Sequence, residues 1–330
     1  MQSLIISIRK GKVAMNDGVT KAGTGSTKNS VDIWVVGSIG IDDIATPREA
    51  RKDVLGGSVT YACAAASFFA RVGAVGIVGS DFPEAFMARY RSFGIDLAGL
   101  QRAPGPTFRW SGEYEADFIN RRTIRTELGV FADFKPELPE AFRGTPYVLL
   151  GNIGPELQEH VLNQASGARF VIADTMDLWI NIAREALHRV IKRVDLLMLN
   201  DGEARLLTGL HNLKDCAAAI LVMGPRYVVI KKGEHGAHLF SKDGLAIIPA
   251  YPVDAVTDPT GAGDTFAGGF LGFLARSGRT DEAAIRTALL YGATVASFGV
   301  EAFSLERLER LTMAEIEARL VDLRKMMTIR

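Results

Sequence analysis

Seven consecutive residues, Asp258-Pro-Thr-Gly-Ala-Gly-Asp264, join two carboxylates to a stretch of lightly constrained backbone. A glycine-containing apolar run follows at once, Thr265-Phe-Ala-Gly-Gly-Phe-Leu-Gly-Phe-Leu-Ala275, and reads as a helix. At such a helix N-terminus the amides from Gly261 to Asp264 can turn toward one anionic oxygen group, and the helix dipole adds to their pull. A carboxylate there can take a proton from a hydroxyl while the amides stabilise a transferring phosphoryl group. The plain alternative is that Asp264 caps the helix. That accounts for the acid but not for the Gly-Ala-Gly before it. A dinucleotide fingerprint does not fit either: Phe266 stands where the third glycine is required, and no strand–turn–acid unit follows.

The elements that would position this motif are legible as short, continuous apolar runs. They fall at Ile33–Val36, 75–78, Tyr147–Leu150, 170–173, 196–199 and 227–230. Strands covered on both faces have this character. Helical stretches at 61–72, 156–164, 180–194 and Leu213–Met223 alternate with them, which predicts a doubly wound, mostly parallel α/β sheet flanked by helices. Each run ends in small or polar residues: Gly37-Ser38, Gly151-Asn152, Asp174-Thr175, Asn200-Asp201 and Lys231-Lys232-Gly233. Ligands bind beyond the carboxyl ends of such strands, so these endings line up as one cleft. Asp42 and the adjacent Asp43 follow the first run, where a carboxylate can accept hydrogen bonds from two hydroxyls. Gly56-Gly57 reads as close backbone approach to a ligand or as an ordinary turn. Asp174 reads as a helix cap or a supporting acid and is kept out of the catalytic set. One segment departs from the pattern. Phe108, Trp110 and Tyr114 alternate with polar residues, the period of a strand with one covered face. A turn at 117–120 then leads into a second strand near 121–126. The hairpin predicts a small β lid built from segments near 105–128 and 41–55, the plain alternative being an edge hairpin with no role.

Across the 330 residues, 38 Lys and Arg balance 38 Asp and Glu, so no basic excess argues for a nucleic-acid or anionic-membrane partner. Cys63 and Cys216 are the only cysteines, which suits reduced, buried side chains and a cytoplasmic setting, and no paired-Cys spacing supports a zinc site. No apolar run reaches membrane-spanning length. Residues 1–30 are rich in Gly, Ser, Thr and Lys near their end and read as a disordered extension, with 31–330 as the folded domain. The stretch 23–28 has neither the spacing nor the preceding strand of a phosphate loop.

The Asp258–Asp264 run resembles the C-terminal signature of the ribokinase/PfkB carbohydrate kinase family. Four further stretches resemble that family's motifs in the right order. Gly37-Ser-Ile-Gly-Ile-Asp42 is similar to its first strand with a substrate-binding Asp, and Leu55-Gly-Gly-Ser58 to its paired-glycine turn. Asn200-Asp-Gly-Glu203 is similar to its Asn-x-x-Glu motif, and Lys231-Lys-Gly-Glu-His-Gly-Ala237 to the glycine-containing loop by the nucleotide. The resemblance covers about residues 31–310. It implies a ribokinase-like fold and ATP- and Mg²⁺-dependent phosphoryl transfer to the hydroxymethyl group of a small sugar or nucleoside. Residue by residue, it implies Asp264 as the base and Gly261, Ala262 and Gly263 as the anion hole. Asn200 and Glu203 would organise Mg²⁺, largely through water. Taken alone, that segment is a turn with a helix cap; Mg²⁺, which keeps several waters, is compatible with one Glu and one Asn. Asp42, Gly56, Gly57 and Tyr61 would face the substrate, and Lys231, Gly233 and Gly236 the nucleotide. Asp258 and Thr260, with 296–304, would border a K⁺ site, the alternative being a turn held by backbone hydrogen bonds. Homodimerisation through the lid occurs in such relatives.

Departures from the family pattern bear on the substrate. Tyr61 stands where many members carry Asn, and Lys231-Lys232 where Thr-Leu is common. Tyr61, Phe108 and Trp110 can stack on a nucleoside base or simply pack the lid. Arg109, Arg121, Arg122 and Arg125 can grip a sugar phosphate or form a solvated face. A non-catalytic nucleotide- or sugar-binding regulator is the rival from another class.

Overall fold

The computed structural model describes residues 31–328. The extension expected at 1–30 lies outside them. Among the described residues thirteen strands follow one another: β1 (Ile33–Val36), β2 (Gly40–Ala45), β3 (Ala50–Gly56), β4 (Val72–Val78), β5 (Asp96–Arg102), β6 (Phe108–Tyr114), β7 (Arg121–Glu127), β8 (Tyr147–Leu150), β9 (Phe170–Asp174), β10 (Leu196–Asn200), β11 (Tyr227–Lys231), β12 (Ala237–Ser241) and β13 (Gly244–Ile248). Nine form one sheet in the order β13-β12-β11-β10-β9-β8-β1-β4-β5. It is parallel from β5 to β11, with β12 and β13 antiparallel at one edge. The central strands are buried along their whole length and carry apolar side chains to both faces, where helices close over two separate cores. The doubly wound reading of the sequence therefore holds.

The other four strands make a second sheet in the order β3-β2-β6-β7. The hairpin expected near 108–126 is β6–β7, and β2 and β3 come from the 41–55 segment. One face of this small sheet is seated on the main body through Ile44, Tyr114 and Phe303. Strand β7, by contrast, is exposed at every residue.

Two expectations need correction, and one element went unread. The helix expected at 61–72 runs Ser58–Ser67, and Val72 already belongs to β4. The helix expected at 180–194 is two, Asp177–Ile182 and Arg184–Ile191, because Ala183 leaves helical geometry (φ −133°, ψ 34°). The β12–β13 hairpin was not foreseen. Strand β13 is mostly exposed and lacks the two-sided apolar signature of the buried strands. Among the described residues no single helix is long and apolar enough to cross a membrane, and both cysteines are free and buried.

What positions the site is a close helix pair. The helix Ala262–Ser277 lies along Ser58–Ser67, whose run of alanines presents little bulk. A methyl group at Gly268 would come within 2.2 Å of the Ala62 carbonyl oxygen, and one at Gly272 within 2.7 Å of the Phe69 ring. Both helices thus begin at the same edge of the sheet. Gly268→Ala should force them apart and lower stability by about 1–3 kcal/mol, the usual cost of overpacking. Urea unfolding at equilibrium measures it, and unchanged stability would mean that the helices separate freely.

Candidate active site

The turn before the helix Ala262–Ser277 is held from several sides. Gly261 adopts the left-handed conformation (φ 73°) and lies directly on Tyr61, so a methyl group there would meet the ring at 2.2 Å. The Ala262 amide bonds back to the Pro259 carbonyl at 3.1 Å. The amides of Gly261 and Gly263 meet no backbone acceptor among the described residues. Of the three amides expected to form an anion hole, Ala262 is therefore already occupied. Asp264 sits in the first helical turn, which no side chain caps. Its carboxyl has no side-chain hydrogen-bond partner among the described residues. Burial first, then the Asp174 carboxylate, push its pKa up to about 7, against the pull of Lys231 and Arg121.

Beside this turn the carboxyl ends of β9, β10 and β11 bring together Asp174, Glu203 and Lys231. Lys231 Nζ lies 2.7 Å from Asp174 Oδ2, with both side chains largely buried. Burial works to lower the Lys231 pKa, but the carboxylates of Asp174, Glu203 and Asp264 overcome it and hold the pKa above the usual lysine value. The same ammonium is 3.0 Å from where a side chain on Gly263 would begin. Asp174 does not cap the following helix, whose N-cap is Met176 and which no side chain caps. Asp174 Oδ1 accepts instead from the Thr175 amide at 2.9 Å. Its importance was hidden in the sequence, where it is one acid at one strand end.

Asn200 and Glu203 form a reciprocal capping box at the start of the helix Asp201–Thr208, so the plain reading of that segment describes its local structure. Glu203 Oε2 accepts from the Asn200 amide at 2.7 Å. Burial, then Asp174, raise the Glu203 pKa to about 7. An acid held so close to a second acid is suited to a cation. Among the described residues no three His, Cys, Asp or Glu side chains converge as a cage. Gly233 (φ 54°) and Gly236 (φ 83°) turn the chain between β11 and β12, and a side chain at Gly236 would strike the Ile248 carbonyl at 2.0 Å.

Across the turn lies Asp42. It was expected just beyond the first strand; it is instead inside β2, 3% exposed. Its carboxyl folds over Gly56, where a methyl group would come within 1.9 Å of Oδ2. Gly56 thus makes room for Asp42 itself. Gly57 (φ 96°) packs on the Ser38 carbonyl and opens the helix Ser58–Ser67, with Ser38 and Ser58 exchanging amide-to-hydroxyl bonds at 3.1 and 3.2 Å. Asp42 Oδ1 is buried without a partner among the described residues. Burial, then the Asp258 and Asp43 carboxylates, push its pKa up to about 8. The Tyr61 hydroxyl is likewise buried and unpaired, and its ring is covered by Gly261. It has no open face on which a base could stack. Phe108 packs on Phe131, and Trp110 folds over Gly112 with Arg121 above its ring. Arg109, Arg122 and Arg125 pair with Asp53, Glu113 and Glu127. Among the described residues Arg121 alone of the four has no carboxylate partner.

Asp258 is 1% exposed. Its Oδ1 accepts from the Thr260 amide at 2.9 Å, while Oδ2 is buried without a partner. Thr260 Oγ1 in turn meets the lid's Tyr114 hydroxyl at 3.1 Å. The Thr257 and Asp258 amides both bond to the Val300 carbonyl, so the 296–304 segment does run beside this turn.

Residues 25–306 match the pfkB family carbohydrate kinase pattern. The chain belongs to that family. It is 32% identical over 266 residues to a cytidine kinase of Thermococcus kodakarensis, covering 78% of this chain and 94% of the relative. The fold is similar to that of the nucleoside kinase of Methanocaldococcus jannaschii, with a TM-score of 0.71 at 21% identity over 88% of this chain and 98% of the other. It is also similar to a putative ribokinase II from E. coli in complex with ATP and Mg²⁺, with a TM-score of 0.73 at 20% identity over 88% and 99%. This pfkB kinase is a carbohydrate or nucleoside kinase that uses ATP.

Asp42 gives the site a pH signature. Its carboxyl binds a proton more tightly folded (about 8) than unfolded (about 4), so the folded chain holds more protons between those values. The contribution of Asp42 to stability is therefore full below about pH 4 and is lost as pH rises through about 8. Asp42→Asn, which cannot ionise, should remove ~2–4 kcal/mol of that decline between pH 5 and 8. Urea unfolding at both values reads it, and parallel pH profiles for the two proteins would refute the assignment.

Proposed function

We propose that this chain transfers the γ-phosphoryl group of ATP to a hydroxymethyl group of a nucleoside or a ribose-like sugar, with Asp264 as the base. The observation that carries the reading is the unpaired Asp264 carboxyl beside the free amides of Gly261 and Gly263, in a turn that Tyr61 supports from below. The acceptor oxygen attacks phosphorus as its proton passes to Asp264, and the bond to the β-phosphate oxygen breaks to release ADP. The amides take up charge on the phosphoryl oxygens. Asp42 faces the acceptor, where its unpaired Oδ1 offers a hydrogen-bond partner to a substrate hydroxyl; Gly56, Gly57 and Tyr61 shape that side. Lys231, Gly233 and Gly236 serve the nucleotide side.

Asn200 and Glu203 fit a bound Mg²⁺, held mostly through water and phosphate, because Glu203 is a half-buried acid beside a second acid. The ion would neutralise phosphate charge. Asp258 Oδ2 and Thr260 similarly suit a K⁺ ion that would stiffen the turn. A nucleoside acceptor is favoured by the cytidine kinase relative, similar over almost its full length. A sugar phosphate is less well supported, since three of the four lid arginines are already paired. ATP-dependent product formation across nucleosides, free sugars and sugar phosphates tests this. Nucleotide binding without turnover on any acceptor would favour the regulator reading instead.

Asp264→Asn should lower kcat by about 10²–10⁴-fold with ATP binding retained. In the wild type, kcat/KM should fall with unit slope as pH drops below about 7, because the base is then protonated. Turnover close to wild type in the variant would remove Asp264 from this role. Glu203→Gln should raise the Mg²⁺ concentration for half-maximal rate, and wild-type rates should be higher in K⁺ than in tetramethylammonium at equal ionic strength. An unchanged Mg²⁺ dependence, or equal rates in both salts, would return the corresponding segment to a purely structural role.

A further inference from the structure

Lys231 brings an ammonium, held by carboxylates, to the start of a helix. The start of a helix carries partial positive charge, and an ammonium there is unfavourable unless an anion comes between. Yet Lys231 Nζ stands 3.0 Å from the site a Gly263 side chain would occupy, in the first turn of Ala262–Ser277. Nor is the ammonium there by accident of a flexible chain. It is fixed at 2.7 Å to Asp174 Oδ2, with side-chain exposures of 17% and 9%. Asp174 is itself held at the end of β9. Gln158, buried beneath it, donates its amide to the carbonyls of Gly151 and Asp174 at 2.9 and 3.0 Å, tying the ends of β8 and β9 together. Glu203 and Asp264 face the same ammonium from the helices beginning at Asp201 and Ala262.

We propose that the Lys231 ammonium, braced by Asp174, contacts the phosphoryl group in flight and shares it with the Gly263 amide, so that the chain carries its own cation at the reaction centre. The proposal rests on the phosphotransfer reading above and deepens it. Lys231 keeps its proton throughout: the acceptor's proton goes to Asp264, and ADP leaves with the electrons of the broken P–O bond. Lys231 is then a catalytic residue and Asp174 a positioning residue. Arg121 of the lid also bears on Asp264, but it is exposed and not fixed by a carboxylate. A side chain at Gly263 would begin 3.0 Å from the ammonium, so Lys231 would have to give way by a few tenths of an ångström.

The test compares ligands that differ by the group in question. Affinities for the β,γ-methylene analogue of ATP and for ADP, each with Mg²⁺, are measured by calorimetry in wild type, Lys231→Met and Asp174→Asn, alongside kcat at saturating ATP. Lys231→Met should lose at least about tenfold in affinity for the analogue relative to ADP, and about 10²-fold or more in kcat. Asp174→Asn should shift the same ratio in the same direction, which a merely structural role would not do. Because Lys231→Met leaves a buried acid unpaired, the Lys231→Met/Asp174→Asn double variant removes both charges together and is read in the same way. An unchanged analogue-to-ADP ratio, or an equal loss for both ligands, overturns the proposal while leaving the kinase reading in place. A wild type that binds neither nucleotide overturns both.

Discussion

The site is organised around a shortage of positive charge in a place that disfavours any charge. Asp42, Asp174, Glu203, Asp258 and Asp264 are gathered at one edge of the main sheet, with the single buried ammonium of Lys231 among them. Burial raises the proton affinity of Asp42, Glu203, Asp258 and Asp264. Removing a carboxylate from water is costly unless something neutralises it. Protons do part of this near neutral pH, Lys231 does part, and cations accompanying a nucleotide can do the remainder. A polyphosphate entering alone would meet repulsion from these acids; one entering with a divalent ion would not.

The backbone meets the same demand by leaving room. Gly261, Gly263 and Gly56 each give their Cβ space to a functional group of another element: the Tyr61 ring, the Lys231 ammonium and the Asp42 carboxyl. Gly268 lets two helices approach closely enough for these groups to meet. The glycines are thus spatial requirements of the acid and base groups as much as flexible joints.

Much of this was legible in the sequence because it is local. The two-sided apolar runs identify the parallel strands, and the alternation at Phe108, Trp110 and Tyr114 identifies the lid hairpin. The glycine-containing turn before the helix Ala262–Ser277 is visible in seven consecutive residues. What escaped depends on contacts between distant segments. Asp174 and Lys231 are separated by 57 residues and meet only because β9 and β11 flank β10. Asp42 was expected at the end of β1, but the chain turns at Gly37–Ile39 and enters the lid sheet, which the apolar pattern alone does not show. Tyr61, weighed as a stacking surface, is part of the floor because Gly261 covers it. The short exposed strand β13 lacked the signature by which its neighbours were found.

The lid and the turn are mechanically one unit. Tyr114 of β6 meets Thr260 of the turn at 3.1 Å, and Thr260 donates its amide to Asp258. On the other side Ser304, strained in the left-handed region (φ 53°), bonds through its hydroxyl to the Leu55 carbonyl at the base of β3. Phe303 beside it lies under the lid with Ile44 and Tyr114. The segment that flanks Asp258 through Val300 is therefore the same one that seats the lid. These contacts tie the small sheet to the turn at Thr260 and to the 296–304 segment at Ser304. The residues immediately before Gly261 are thus bonded to the small sheet on one side and to the Val300 carbonyl on the other.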